Sequence, residues 1–200
     1  MSARLPIVMA ITGASGAPYA VRLLQVLASA GQPVWVIVSS HGWRLLHSES
    51  GISDLHGLRE HVGGDAWDAS VTVFDDNDRG ATPASGSARM QGMVIVPCSM
   101  GTIAAVAAGT SRSLVERAAD VMLKERRPLL VVPRETPLSR IHLENMLRIT
   151  DAGAVVMPAA PGFYHQPERI AELVDFIVQR ILDHLRVDID IAPRWGDPTT

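Results

Sequence analysis

LPIVMAITGASGAPYAVRLLQVLASAGQPVWVIVSS, residues 5–40, reads as strand, turn, helix, turn and strand. Residues 5–12 are apolar without polar alternation, the pattern of a strand buried on both faces. Residues 16–30 place Ala20, Leu23, Leu24 and Leu27 on one face of a helix. Residues 33–39 form a second strand rich in Val and Ile. Two such strands joined through a helix make a parallel crossover unit.

The alternation continues outward. Residues 43–49 and 54–62 read as short helices. Residues 63–91 are rich in Gly, Asp, Ser and Ala, and read as a long excursion with a small edge strand at 71–74. Loops this long are often functional. A third apolar strand covers 92–98, with helices at 101–108 and 113–126. The second of these opens on Ser113 with Glu116 three residues on, a capping-box pattern. Strands at 129–133 and 154–157 flank a helix at 138–152, and a long amphipathic helix runs over 167–185. A Pro- and Asp-containing tail follows from Arg186. The expected fold is α/β, a doubly wound parallel sheet in a single domain over residues 1–185, without internal repeats.

Composition narrows the function. The chain has 200 residues, 47% hydrophobic and 20% charged, with a formal charge of −3. A general nucleic-acid binder would be basic. No apolar run reaches the ~18 residues of a membrane span, and the first residues show no separate signal-peptide region. The single cysteine, Cys98, excludes an intrachain disulfide framework. These features lead to the expectation of a reducing cytoplasm.

Ligands of an open parallel sheet bind outside the carboxyl ends of its strands. Those ends carry Thr12-Gly13-Ala14-Ser15-Gly16, Ser39-Ser40-His41, Cys98-Ser99-Met100-Gly101-Thr102, Arg134-Glu135-Thr136-Pro137 and the stretch from Pro158 to Tyr164. Small hydroxyl residues and glycines gather at the first three, where a ligand can approach the backbone and amides at helix starts can hold phosphate. The dinucleotide fingerprint is incomplete, with Gly13 and Gly16 as GxxG only. The second strand ends in Ser39 rather than an acidic residue for a ribose, which argues against NAD. No P-loop motif is present. A mononucleotide such as FMN fits better, and a tight turn without ligand is the bland alternative.

Cys98 reads as a buried small residue rather than a nucleophile. The seven histidines show no metal-ligand spacing. Lys124, the only lysine, and Arg117 lie seven residues apart on one helix face that would suit an anion. Arg134-Glu135 is a charged pair at the carboxyl end of a buried strand. Arginine can fork onto phosphate, and glutamate can move a proton.

Four segments together resemble the UbiX family of flavin prenyltransferases: ITGASGAPYAVRLL, VIVPCSMGTIAAVAAG, ADVMLKERRPLLVVPRETPLSRIHLENM and GAVVMPAAPGFYHQP, with PASGS at residues 83–87. The resemblance implies a Rossmann-like fold that binds FMN and uses it reduced. The dimethylallyl group of dimethylallyl monophosphate would be joined to flavin N5 and then C6, with phosphate released and no metal required. The prenylated FMN would serve a UbiD-type decarboxylase. Family members assemble as dodecamers with sites at subunit junctions.

Carried over residue by residue, the resemblance gives a flavin site of Gly13, Ala14, Ser15, Ser39, Ser99, Met100, Gly101, Thr102 and Arg134. Lys124, Tyr164 and Arg180 would meet the donor phosphate, with Arg117 and Arg134 near. Glu135 matches the catalytic acidic residue, and Ser15 would orient the flavin or relay a proton. Glu49 matches an acidic residue offered across a subunit boundary. Trp195, in the 186–200 tail, matches an aromatic residue that covers the site. Departures fall at Ala88-Arg89-Met90 and in residues 56–70. Two rivals stand beside this reading: a flavin-dependent cysteine decarboxylase, expected to carry PASANT where this chain has PASGS, and a non-catalytic FMN-binding protein.

Overall fold

The structure, a computed structural model, describes residues 4–194. Its elements run β1 (Ile7–Ile11), α1 (Ala17–Ser29), β2 (Val34–Val38), α2 (Ser40–Ser50), α3 (Leu55–Val62), α4 (Gly64–Ser70), β3 (Val71–Phe74), β4 (Gly92–Cys98), α5 (Met100–Ala107), α6 (Leu114–Lys124), β5 (Leu129–Pro133), α7 (Arg140–Asp151), β6 (Val155–Val156) and α8 (Ile170–His184). All strand pairs are parallel, in the order β3-β2-β1-β4-β5-β6. The order reverses between β1 and β4, which opens a crevice at their carboxyl ends.

The apolar strands bury both faces, as their lack of alternation requires. Ile7, Met9 and Ile11 pack under α1 and α8, while Val8 and Ala10 pack under α5 and α6. Leu23, Leu24 and Leu27 of α1 are fully buried, each worth ~1.5–3 kcal/mol against exposure. The starts of α2, α3, α5, α6 and α7 fall where hydroxyl or carboxylate caps stand. Ser39 accepts from the Gly42 amide and Ser139 from the His142 amide, so α2 begins earlier, and α7 later, than hydrophobic pattern alone suggests.

Two local expectations are corrected. The excursion holds a helix, α4, which the Gly63-Gly64 pair and two aspartates disguised and which buried Trp67 anchors. At Ser113 only half of the capping box forms. The Glu116 amide donates to Ser113 Oγ, but the Glu116 carboxylate accepts from Thr110 Oγ1 and the Arg112 amide, each at 2.9 Å.

Arg127 clamps the excursion onto the end of α6 by donating to the carbonyls of Gly86 and Ala88, at 2.7 and 2.8 Å. The tail folds back on α8 through the buried Gln179 amide and an ion pair from Arg194 to Asp183 at 2.9 Å. Gln179 accepts from the Ile191 amide at 2.7 Å and donates to the Ile189 carbonyl at 3.0 Å. Val187 is buried beside it. Trp195 lies outside the described residues.

Candidate active site

Thr12 joins the two strands at the crevice. Its hydroxyl donates to the Pro97 carbonyl at 3.0 Å and accepts from the Ser99 amide at 2.9 Å. The cleft above it has a volume of about 350 Å³ and is lined by Gly13, Ser39, Ser99, Gly101 and Thr102 from the sequence-derived set. Ser40, His41, Asp76, Arg112, Ser113, Val115 and Glu116 complete it. Gly13 has to be glycine here: a Cβ on it would stand 2.5 Å from the His41 Cβ. Ala14 and Met100 are buried and do not line the cleft.

Four helices begin around this crevice, and their caps differ in charge. α1 and α6 start under carboxylates. Glu49 Oε2 accepts from the Gly16 and Ala17 amides at 2.8 Å each, and Asp76 Oδ1 accepts from the Val115 amide at 3.0 Å. α2 and α5 start under neutral hydroxyls, Ser39 and Ser99. A carboxylate offsets the positive helix end, whereas a hydroxyl leaves it to attract an anion. An anionic group therefore belongs between α2 and α5, not at the α1 turn. A phosphomonoester with a polyol chain suits this cradle of amides, hydroxyls and small residues.

Beside it lies a second cluster. Arg134 Nε donates to the Ser15 carbonyl at 3.3 Å. Glu49, which the resemblance offers across a subunit boundary, is bound within its own chain by the α1 amides. Burial works to raise its carboxyl, but the Gly16 amide, the Ser15 hydroxyl, the Ala17 amide and the Arg134 charge outweigh burial and hold it below the ordinary 4.5. A lowered carboxyl stabilises the fold above its unfolded value and loses that contribution as pH falls through its folded value. Glu49→Gln should thus melt below wild type at pH 7. The gap should close as pH falls through the lowered value of the folded-state Glu49 carboxyl, where the wild type takes up its proton. A gap independent of pH in thermal melts would refute this role.

Glu135 is exposed at the end of β5, and its Oε1 accepts from the Thr136 amide at 3.0 Å. Among the described residues no ion pair joins it to Arg134. Cys98 is fully buried, and burial pushes its thiol up, so it stays protonated and inert.

The cations expected around a donor phosphate do not gather at the cleft. Lys124 closes α6, pairs with Glu125 at 2.7 Å and sits beside Gly86. Arg117 pairs with Asp120 at 2.8 Å. Tyr164 and Arg180 do share a groove, of about 260 Å³, with Phe176, Gln179 and Asp183. The end of α8 is at the amino edge of the sheet, where Gln91, just ahead of β4, donates to the Leu185 carbonyl at 2.6 Å. Lys124 is at that same edge, just ahead of β5. A five-residue strand spans about 16 Å, so one chain cannot bring Lys124 to the cleft.

Sequence reading missed His41, Asp76, Arg112 and Glu116 as cleft residues. His41 and Asp76 follow the carboxyl ends of β2 and β3, and Arg112 and Glu116 arrive through the α5–α6 turn and the start of α6.

A family model described as Flavoprotein matches residues 1–182. The flavin prenyltransferase UbiX of Pseudomonas aeruginosa is 48% identical over 204 residues, covering 98% of this chain and 97% of the relative. The crystal structure of AnUbiX (PadA1) in complex with FMN and dimethylallyl pyrophosphate is 40% identical with a TM-score of 0.88, covering 97% of this chain and 98% of that one. The dodecameric FMN-dependent UbiX-like decarboxylase from Escherichia coli O157:H7 is 37% identical with a TM-score of 0.88, covering 96% and 100%. The cysteine decarboxylase TvaF, at 15% identity and a TM-score of 0.61, shares the fold alone. With its crevice at the β1–β4 reversal and likeness along nearly its whole length, the chain belongs to the flavoprotein family, among the UbiX flavin prenyltransferases.

Proposed function

We propose that this chain joins the dimethylallyl group of dimethylallyl monophosphate to reduced FMN, at N5 and C6, and releases phosphate. The observation that carries the reading is the pairing of the hydroxyl-capped cleft with the adjacent Ser15–Glu49–Arg134 cluster. Reduced FMN supplies the nucleophilic nitrogen and carbon when bound. The chain's own residues do the rest. The starts of α2 and α5 hold the flavin phosphate, and Arg134 fixes the Ser15 turn near the ring. Lys124, Tyr164 and Arg180, with Arg117, hold the donor phosphate and stabilise its negative charge as it departs. Such electrostatic stabilisation usually contributes more to catalysis than any other single effect. Glu135 takes or returns the proton at N5 or on the phosphate, and Ser15 relays it.

Lys124 sits at the opposite sheet edge from the cleft, and Arg180 lies in a separate groove on α8, so a complete site takes them from a second copy. The face of α7 supports such assembly: Ile141 and Leu147 are 67% and 61% exposed, an uncovered apolar surface. A homo-oligomer, in our reading a dodecamer, places these residues at subunit junctions, with the tail from 186 and its Trp195 covering the site. The product would pass to a UbiD-type decarboxylase. A cytoplasmic setting is inferred from the single free thiol, Cys98.

Mass analysis tests the reading. Reduced FMN incubated anaerobically with the protein and dimethylallyl monophosphate should gain one dimethylallyl unit, with phosphate released. Dimethylallyl pyrophosphate in a parallel arm reports the donor choice. FMN bound but unchanged with both donors would leave a carrier and end the transferase reading.

A further inference from the structure

We propose that Arg112 is the residue by which this chain distinguishes a phosphorylated flavin from riboflavin. The inference rests on the flavin reading of the cleft and extends it to ligand choice. Three fully charged side chains line that cleft, Asp76, Glu116 and Arg112. Two of them repel an anion. Asp76 is committed to the start of α6, and Glu116 is held by the Thr110 hydroxyl and the Arg112 amide. Arg112 is thus the cleft's one permanently charged cation among the described residues.

Its present contacts are weak and replaceable. The guanidinium meets Glu116 at 3.2 and 3.4 Å, and the side chain is 73% exposed. An exposed pair of this kind contributes little. If the guanidinium turns toward a phosphate, Glu116 keeps its other two donors, so no carboxylate is stranded. The guanidinium gains a charge-assisted fork onto phosphate oxygens. The hydroxyl-capped starts of α2 and α5 face the same cleft, so helix ends and cation act on one anionic group. Riboflavin ends in a neutral hydroxyl and cannot use this contact.

Fluorescence titration of FMN and of riboflavin, at two salt concentrations, tests this on wild type, Arg112→Ala, Arg112→Lys and Gly13→Val. Arg112→Ala should weaken FMN about tenfold or more, the scale of one hydrogen bond to a charged group, and leave riboflavin unchanged. Arg112→Lys should recover part of the loss as a point charge. The wild-type preference for FMN should shrink with salt. Gly13→Val, which fills the cleft against His41, should weaken both flavins. An equal effect of Arg112→Ala on both flavins, or none on either, overturns the proposal while Gly13→Val still supports the flavin site. If Gly13→Val leaves both flavins bound as in wild type, the flavin lies elsewhere, and the reading of the cleft falls together with the proposal.

Discussion

Glu135→Gln should slow prenyl transfer on the order of 10²–10⁴-fold, the range of general acid–base catalysis, while FMN affinity stays near wild type. Glu135 stands exposed beyond the buried β5 strand, and its Oε1 accepts from the Thr136 amide of its own turn. Glutamine keeps an oxygen for that amide, so the turn survives, but it cannot take up a proton. Arg134→Ala should behave differently, because losing the bond from Arg134 Nε to the Ser15 carbonyl should loosen FMN as well as slow the reaction. Single-turnover formation of prenylated flavin, with FMN titration alongside, separates the two. Equal rates for Glu135→Gln and wild type would reduce Glu135 to a turn residue.

A mixed assembly should recover activity that neither parent has. Lys124→Ala should cost roughly 10²–10³-fold through lost stabilisation of the leaving phosphate. Lys124 lies at the amino edge of the sheet and Glu135 at the carboxyl edge. If they serve one site, they come from different chains. Co-expressing Lys124→Ala with Glu135→Gln in equal amounts should restore about a quarter of the sites, because each site draws the two residues independently from a symmetric assembly. Mixed assemblies as inactive as their parents would show that each site takes both residues from one chain.

The strand–helix alternation was legible because β1, β2, β4 and β5 are continuously apolar and the long crossover helices α1 and α6 each have one apolar face. The hydroxyls at the carboxyl ends of β1, β2 and β4 line one cleft for a related reason, since topology alone fixes where strand ends meet. The charge pattern around the cleft was not legible. Glu49 reaches the Gly16 amide across 33 residues and Asp76 reaches Val115 across 39, and neither pairing leaves a trace in local spacing. Arg117 and Lys124 were correctly read as one helix face. The running direction of α6, which carries Lys124 away from the cleft, becomes a constraint only once the sheet is closed.

The path of the tail is written partly in α8. Gln179 grips main-chain atoms of Ile189 and Ile191, groups that every residue but proline supplies alike. At residues 189 and 191 the grip on the main chain is therefore indifferent to side-chain identity, while Val187 in the core and Arg194 on Asp183 hold the segment through their own side chains. Conversely, Gln179→Leu should loosen the main chain at residues 189–191, leaving Val187 in the core and Arg194 on Asp183 as the remaining holds. Relatives with dissimilar tails but a glutamine at this place should run the chain along the same track.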